Sequence, residues 1–287
     1  MQFNMFNSIK QCYFHNEEHY FVVGGILTVV SIASALYTFV INVFALIGIW
    51  LAYKQKLTRT PKLLLSLFAT NLMVVFALVS LSMCHFIDDF HRSWLFSAHI
   101  SVIVFLVLWS STNLCLVTLD RYLLLVHGSR HQLLKESFMT CVFAQFVAVA
   151  GYSIIIYLGF KFMGCTVNLI NLSGIVAFFS FNLCMSLVIN IRLVRYIRMN
   201  TLIIERSNTM QRGLSKTLTA MTICDDVFLV LLIIVLVIFI CSVTLSSGLS
   251  KFGPVILVSL SFLSLFKCGT VSLTYIFSNK KVIKALC

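Results

Sequence analysis

Charge and proline are scarce in this chain of 287 residues: Asp, Glu, Lys and Arg make up 10% of it, and there are only two prolines. A soluble domain carries roughly a quarter charged residues, so a water-covered surface is excluded. Both prolines, Pro61 and Pro254, fall at the edges of apolar runs, which leaves the run interiors free of the break that a missing N–H would impose. No polar stretch is long enough for a second domain or a low-complexity tail. Nor does any nucleophile–base pair, phosphate loop or metal-ligand cluster emerge, so the sequence reads as neither an enzyme nor a cofactor or metal protein.

What is there is hydrophobic: 60% of residues are apolar and mean hydropathy is +1.01. A helix needs about 20 apolar residues to cross the hydrocarbon layer. Seven such runs can be read: Phe21 to Tyr53, Leu63 to Phe86, Leu95 to Leu119, Phe138 to Phe160, Leu172 to Val194, a sixth ending near Leu245, and Pro254 to Phe277. The expected fold is therefore all-α, a seven-transmembrane bundle over 21–277, with a 1–20 amino-terminal segment and a 278–287 tail. The first run is too long for a cleavable signal and lacks a basic region before it, so it reads as a signal anchor.

Basic residues orient the bundle, because Lys and Arg in short loops are retained in the cytoplasm. With the amino terminus outside, 16 of the 21 Lys and Arg residues fall on the cytoplasmic side. The net charge of +12 is then a topology signal and an affinity for anionic membrane lipid, not a nucleic-acid footprint.

Of ten cysteines, three fall on the oxidising side: Cys12, Cys84 and Cys165. A Cys84–Cys165 bond would staple the loop before helix five across the bundle mouth, with Cys12 as the alternative partner. Asn171 opens the chain's sole Asn-x-Ser/Thr sequon and lies outside in this topology. Cys287, one turn past a basic amphipathic segment, is an acylation candidate. His85, His91 and His99 read as interfacial polar residues.

Asp120-Arg121-Tyr122 closes the third run within "LWSSTNLCLVTLDRYLLLVH", and Tyr275 opens "YIFSNKKVIKAL" at the end of the seventh. These segments and the seven-span pattern resemble the rhodopsin-like (class A) G-protein-coupled receptors, and chemokine receptors in particular. The resemblance implies a plasma-membrane receptor, in the host cell membrane for a viral member, with a short amphipathic eighth helix. Its partners would be a heterotrimeric G protein and an extracellular ligand such as a chemokine. Asp120, Arg121, Tyr122 and Tyr275 would serve G-protein coupling, since the Arg121 guanidinium is always charged and can donate to carbonyls of a docked helix. "CYFHNEEHY", with Glu17 and Glu18 between Tyr13 and Tyr20, resembles the acidic strip presented to basic ligands.

Other family positions are altered. Asn71 stands at the usual buried Asp, Ser110 at the usual Ser of the sodium pocket, Val271 to Tyr275 replaces Asn-Pro-x-x-Tyr, and Asn182 occupies the helix-five proline position. Phe96 stands where the third helix would carry its disulfide Cys. In this divergence the chain resembles herpesvirus-encoded members of the family.

Lys267 falls near mid-depth of the seventh run, where an ionisable group demands a partner or a purpose. Counted from Tyr275 it lines the sodium pocket, so its ammonium is expected to hydrogen-bond Asn71 and Ser110, and sodium regulation is expected to be absent. Asp225 and Asp226 are its candidate counter-ions. Hydropathy alone starts helix six at Val227 and leaves both acids solvated at the boundary; matching "SKTLTAM" to the family's basic helix start puts them deeper, facing Lys267. The same deeper register sets Gln211 where some members carry an acid restraining the third-helix Arg, which implies high basal activity. The reading of a different class is a receptor-fold protein that no longer signals and instead binds partner membrane proteins or scavenges ligand.

Overall fold

The computed structural model describes residues 17–53, 59–84, 94–127, 135–162, 165–199, 209–245 and 253–286, several helix ends by backbone alone. Eight helices and no strand occur among the described residues: α1 (Glu17–Tyr53), α2 (Arg59–Cys84), α3 (Trp94–His127), α4 (Lys135–Phe162), α5 (Cys165–Met199), α6 (Thr209–Leu245), α7 (Gly253–Ser278) and α8 (Lys280–Leu286). A chain this apolar has no water to satisfy its backbone, and a helix satisfies every interior N–H and C=O within itself. Pro61 and Pro254 sit in the first turns of α2 and α7, where a missing N–H costs nothing.

Six helices (α1, α2, α3, α5, α6 and α7) carry stretches long and apolar enough to cross a membrane. The described apolar stretch of α4, Val142–Leu158, is shorter. The outward faces carry large apolar side chains, among them Phe44, Phe76, Phe143, Phe181 and Val227, each more than half exposed. A hydrocarbon solvent accounts for such a surface, and the chain is a multi-pass membrane protein.

Neighbouring helices close a ring. Each of α1 to α7 packs on the next, α7 returns to α1, and α3 also touches α5 and α6, which makes it the central strut. The short α8 lies against α1 and α7. Between lipid-like surfaces, association rests on close packing and interhelical hydrogen bonds, and α1 and α7 use both. A Cβ added at Gly269 would come 2.5 Å from Tyr37 Cε1, and Thr38 Oγ1 donates to the Leu265 carbonyl at 2.8 Å. Many buried hydroxyls, such as those of Thr112 and Ser153, donate to the carbonyl four residues back, so they enter the bundle already satisfied.

Several helices run past the apolar runs read from sequence, α3 for instance continuing beyond Leu119 to His127, and two of the shifted starts bear on the buried polar residues. Helix five begins at Cys165, not Leu172, because 165–171 contains neither Gly nor Pro and Gly164 comes just before it. Helix six extends back to Thr209, so Asp225 and Asp226 lie more than four turns inside it; the register that starts it at Val227 is overturned.

Candidate functional site

Two buried polar clusters stand out, one at the Arg121 end of α3 and one at mid-bundle. At the first, Asp120 and Arg121 are 1% and 6% exposed, while Tyr122 is half-buried. Thr60 Oγ1, in the first turn of α2, donates to Asp120 Oδ2 at 2.8 Å. The Arg121 guanidinium lies within electrostatic reach of Asp120, Tyr53 and Tyr275, yet its Nε has no hydrogen-bond partner. A buried donor left unmade is a costly arrangement, and it leaves the group ready for an acceptor.

Tyr275 is fully buried against Phe68, ring centroids 5.4 Å apart. Asn279 joins it to a second phenol: its Nδ2 donates to the Tyr275 hydroxyl at 3.1 Å and to the Tyr53 hydroxyl at 3.4 Å. Its Oδ1 accepts from the Lys281 and Val282 amides and so caps α8. Two hydroxyl contacts dock α6 at this end. Thr118 and Thr222 meet Oγ1 to Oγ1 at 3.1 Å, and Thr217 Oγ1 donates to the Ser278 carbonyl at 2.9 Å. The side chain of Gln211 lies outside the described residues.

At mid-bundle, Lys267 Nζ is 2.9 Å from Asp225 Oδ1 and donates to Ser111 Oγ at 2.5 Å. All three are buried, so α7, α6 and α3 are tied by one charged knot. The expected bonds from Lys267 to Asn71 and Ser110 do not form. Those two bond each other instead, Ser110 Oγ donating to Asn71 Oδ1 at 2.6 Å. One position along α3 turns the side chain by about 100°, so Ser111 faces α6 and α7 while Ser110 faces α2.

Asp226 does not share the knot. It points to α5, where Asn190 Nδ2 is 3.5 Å from its Oδ2, and its Oδ1 is unpaired. Asn182 is buried on the same side of α5 with its Nδ2 unpaired.

At the far end from Arg121, His99 Nε2 meets the Ala77 carbonyl at 2.9 Å and Ser80 Oγ at 3.0 Å, so it bridges α3 to α2 rather than facing outward. Asn171 lies almost two turns into α5 and is 6% exposed, with its Nδ2 unpaired. Cys12 and Cys287, the side chains of Cys84 and Cys165, and His85 and His91 lie outside the described residues. Cys115, Cys184, Cys224, Cys241 and Cys268 lie within helices and are not joined in disulfides.

Sequence reading missed Thr60, Tyr53, Ser111, Asn279 and the Thr118–Thr222 contact. Asn279 carried a signal, standing four residues after Tyr275 and just before a basic segment. The others depend on which helices meet. No protein-family model matches this chain, and no curated protein matches it.

Proposed function

We propose that this chain is a G-protein-coupled receptor of the rhodopsin-like type, with its amino terminus outside the plasma membrane, seven spans, and α8 on the cytoplasmic face. One observation carries the reading. Arg121 is buried at the end of α3 beside Tyr53 and Tyr275, with an unpaired Nε. A snorkelling arginine would reach past the bundle edge into the headgroup layer; this one is held inside, where outward movement of α6 opens it to a partner's carbonyl.

Coupling works through α6 on this reading. The hydroxyl contacts of Thr222 and Thr217 hold α6 against α3 and α7, and the Lys267–Asp225–Ser111 knot is the fixed point about which its free end moves. A Lys ammonium already neutralises Asp225, and Asn71 carries no charge, so a sodium ion has little to bind there. Basal coupling with an unidentified ligand, a basic protein such as a chemokine among the classes considered, fits a receptor whose α3 arginine lacks a hydrogen-bonded restraint on its Nε.

The second reading, a receptor fold that binds partner membrane proteins without signalling, is favoured by the interiors of α5, α6 and α7, which contain no proline to act as a hinge. Nucleotide exchange on co-reconstituted G proteins, measured without ligand, separates the two. The receptor reading expects exchange above the protein-free rate and its loss in Arg121→Ala at equal reconstituted amounts. Equal rates from wild type and Arg121→Ala would leave only the second reading.

A further inference from the structure

The acid that the charged knot leaves aside sits in the harshest surroundings of the bundle. Asp226 is 6% exposed within the apolar span of α6, where an ionisable group demands a partner or a purpose. Two charged groups act on it, Asp225 just before it in α6 and Lys267 from α7, and those two neutralise each other across 2.9 Å. Among the described residues, α5 and α3, the other helices packed on α6, bring no charge against it. What α5 brings is Ser186 and Asn190, one turn apart and so on one face.

The made and unmade hydrogen bonds here form a specific pattern. Asn190 Nδ2 stands 3.5 Å from Asp226 Oδ2, while Asn190 Oδ1 and Asp226 Oδ1 both lack a partner. With the acid ionised both orphans are acceptors, so the pair has no hydrogen to share between them, and unmade buried acceptors are costly. One proton removes both faults. A carboxylic acid carries an O–H donor that the carboxylate lacks; on Asp226 Oδ1 it donates to Asn190 Oδ1 while Asn190 Nδ2 donates to Asp226 Oδ2, closing a ring of two hydrogen bonds between acid and amide. The same proton removes the charge, which is how an isolated buried carboxyl ordinarily settles.

We propose that Asp226 and Asn190 form a proton-binding site between α6 and α5, in which an acid–amide pair holds the two helices together while the proton is bound and loosens them when it leaves. Release moves the proton from Asp226 Oδ1 to water and leaves a carboxylate oxygen turned to the Asn190 carbonyl oxygen, two acceptors that repel. Thr222, one turn earlier in α6, holds that helix to Thr118 of α3, so loosening at Asp226 reaches the contact at the Arg121 end. The site stands apart from the receptor reading, because it requires only that the two helices meet inside a membrane.

Infrared difference spectroscopy of the purified full chain in lipid, from mildly acidic to alkaline buffer, tests it, because the C=O stretch of a protonated carboxyl is separated from the carboxylate and amide bands. Wild type is expected to show that band at neutral pH and to lose it in alkaline buffer, and Asp226→Asn should lack it throughout. Asn190→Leu should keep the band but move it to higher frequency, since a carboxyl without a hydrogen-bonded partner has a stiffer C=O. SDS unfolding gives a second readout. While the folded protein holds a proton that the unfolded chain has lost, each pH unit costs about tenfold in the folding equilibrium, so wild type should weaken by that factor with rising pH and level off where the band fades. Asp226→Asn, whose amide supplies the missing donor, should lack that fall. No band that Asp226→Asn removes would overturn the site, and a band unmoved in Asn190→Leu would overturn the pairing. Equal pH dependence in wild type and Asp226→Asn would overturn the loosening. Carboxylate bands that shift when sodium replaces potassium, and that Asp226→Asn removes, would assign the orphaned oxygens to a metal cation instead of a proton.

Discussion

At the scale of single residues, the buried charges at mid-bundle divide into a matched pair, Lys267 and Asp225, and an acid without a counter-ion, Asp226. Lys267 and Asp225 are 2.9 Å apart with Ser111 completing the ammonium's contacts, so removing either partner strands the other in a low-dielectric interior. Breaking such a pair costs about 3–5 kcal/mol, whereas replacing both partners with apolar residues of similar volume is often neutral. Lys267→Met and Asp225→Leu should each lower the thermal unfolding midpoint of the detergent-purified protein sharply, and the double substitution should regain most of the loss. Asp226→Asn is the control. Its Oδ1 has no partner to lose, and an amide oxygen can still accept from Ser186 and Asn190 in place of the carboxylate, so the change should cost less than about 1 kcal/mol. Single variants as stable as wild type would mean that the Lys267–Asp225 contact carries no weight. Adjacent residues of identical polarity, Asp225 beside Asp226 and Ser110 beside Ser111, have opposite surroundings here. Composition and counting could place the pair in depth but not around the helix axis.

At the scale of helices, α6 is held at the Arg121 end by hydroxyls, with Thr222 on Thr118 and Thr217 on the Ser278 carbonyl. Interhelical hydrogen bonds in membranes average about 0.6 kcal/mol, so losing the first should raise the population with α6 displaced by roughly threefold. Thr222→Val preserves the shape of the side chain and removes the hydroxyl. On the receptor reading, ligand-free nucleotide exchange should rise by about that factor at matched expression, and an unchanged or lower rate would show that the contact does not restrain α6.

The existence of these helices was legible, because a run of apolar residues the length of a bilayer reads as a helix from composition alone. The start of α6 was not. Hydropathy stops at Asp225 and Asp226, since a scale assigns each acid its cost in isolation and cannot see Lys267 arriving from α7 to offset it. The start of α5 was misplaced for the related reason that Thr166 and Asn168 lower the hydropathy without breaking a helix. Thr60, Tyr53 and Asn279 were illegible as a group. Their meeting with Asp120 and Tyr275 is a property of the closed ring, not of any one segment.

At the scale of the whole molecule, the ring leaves an apolar exterior and two polar ends, and the distribution of Lys and Arg between those ends argues which faces the cytoplasm. In sequence, the link from α1 to α2 and the start of α2 contain Lys54, Lys56, Arg59 and Lys62, the link from α3 to α4 and the start of α4 contain Arg130 and Lys135, and α8 adds three lysines. Basic residues near span ends set orientation, and the first loop usually dominates. A tag at the amino terminus should therefore be stained on intact cells, and one after α8 only once the membrane is permeabilised. The same argument specifies how the orientation fails. Replacing Lys54, Lys56, Arg59 and Lys62 with Gln removes the first basic loop while leaving every apolar span intact, so the bundle should still insert but in a mixture of orientations. Antibody access to the amino-terminal tag would report that mixture as a partial loss of surface staining at constant total protein. Full staining would mean that the later basic segments, and α8 among them, hold the orientation without the first loop.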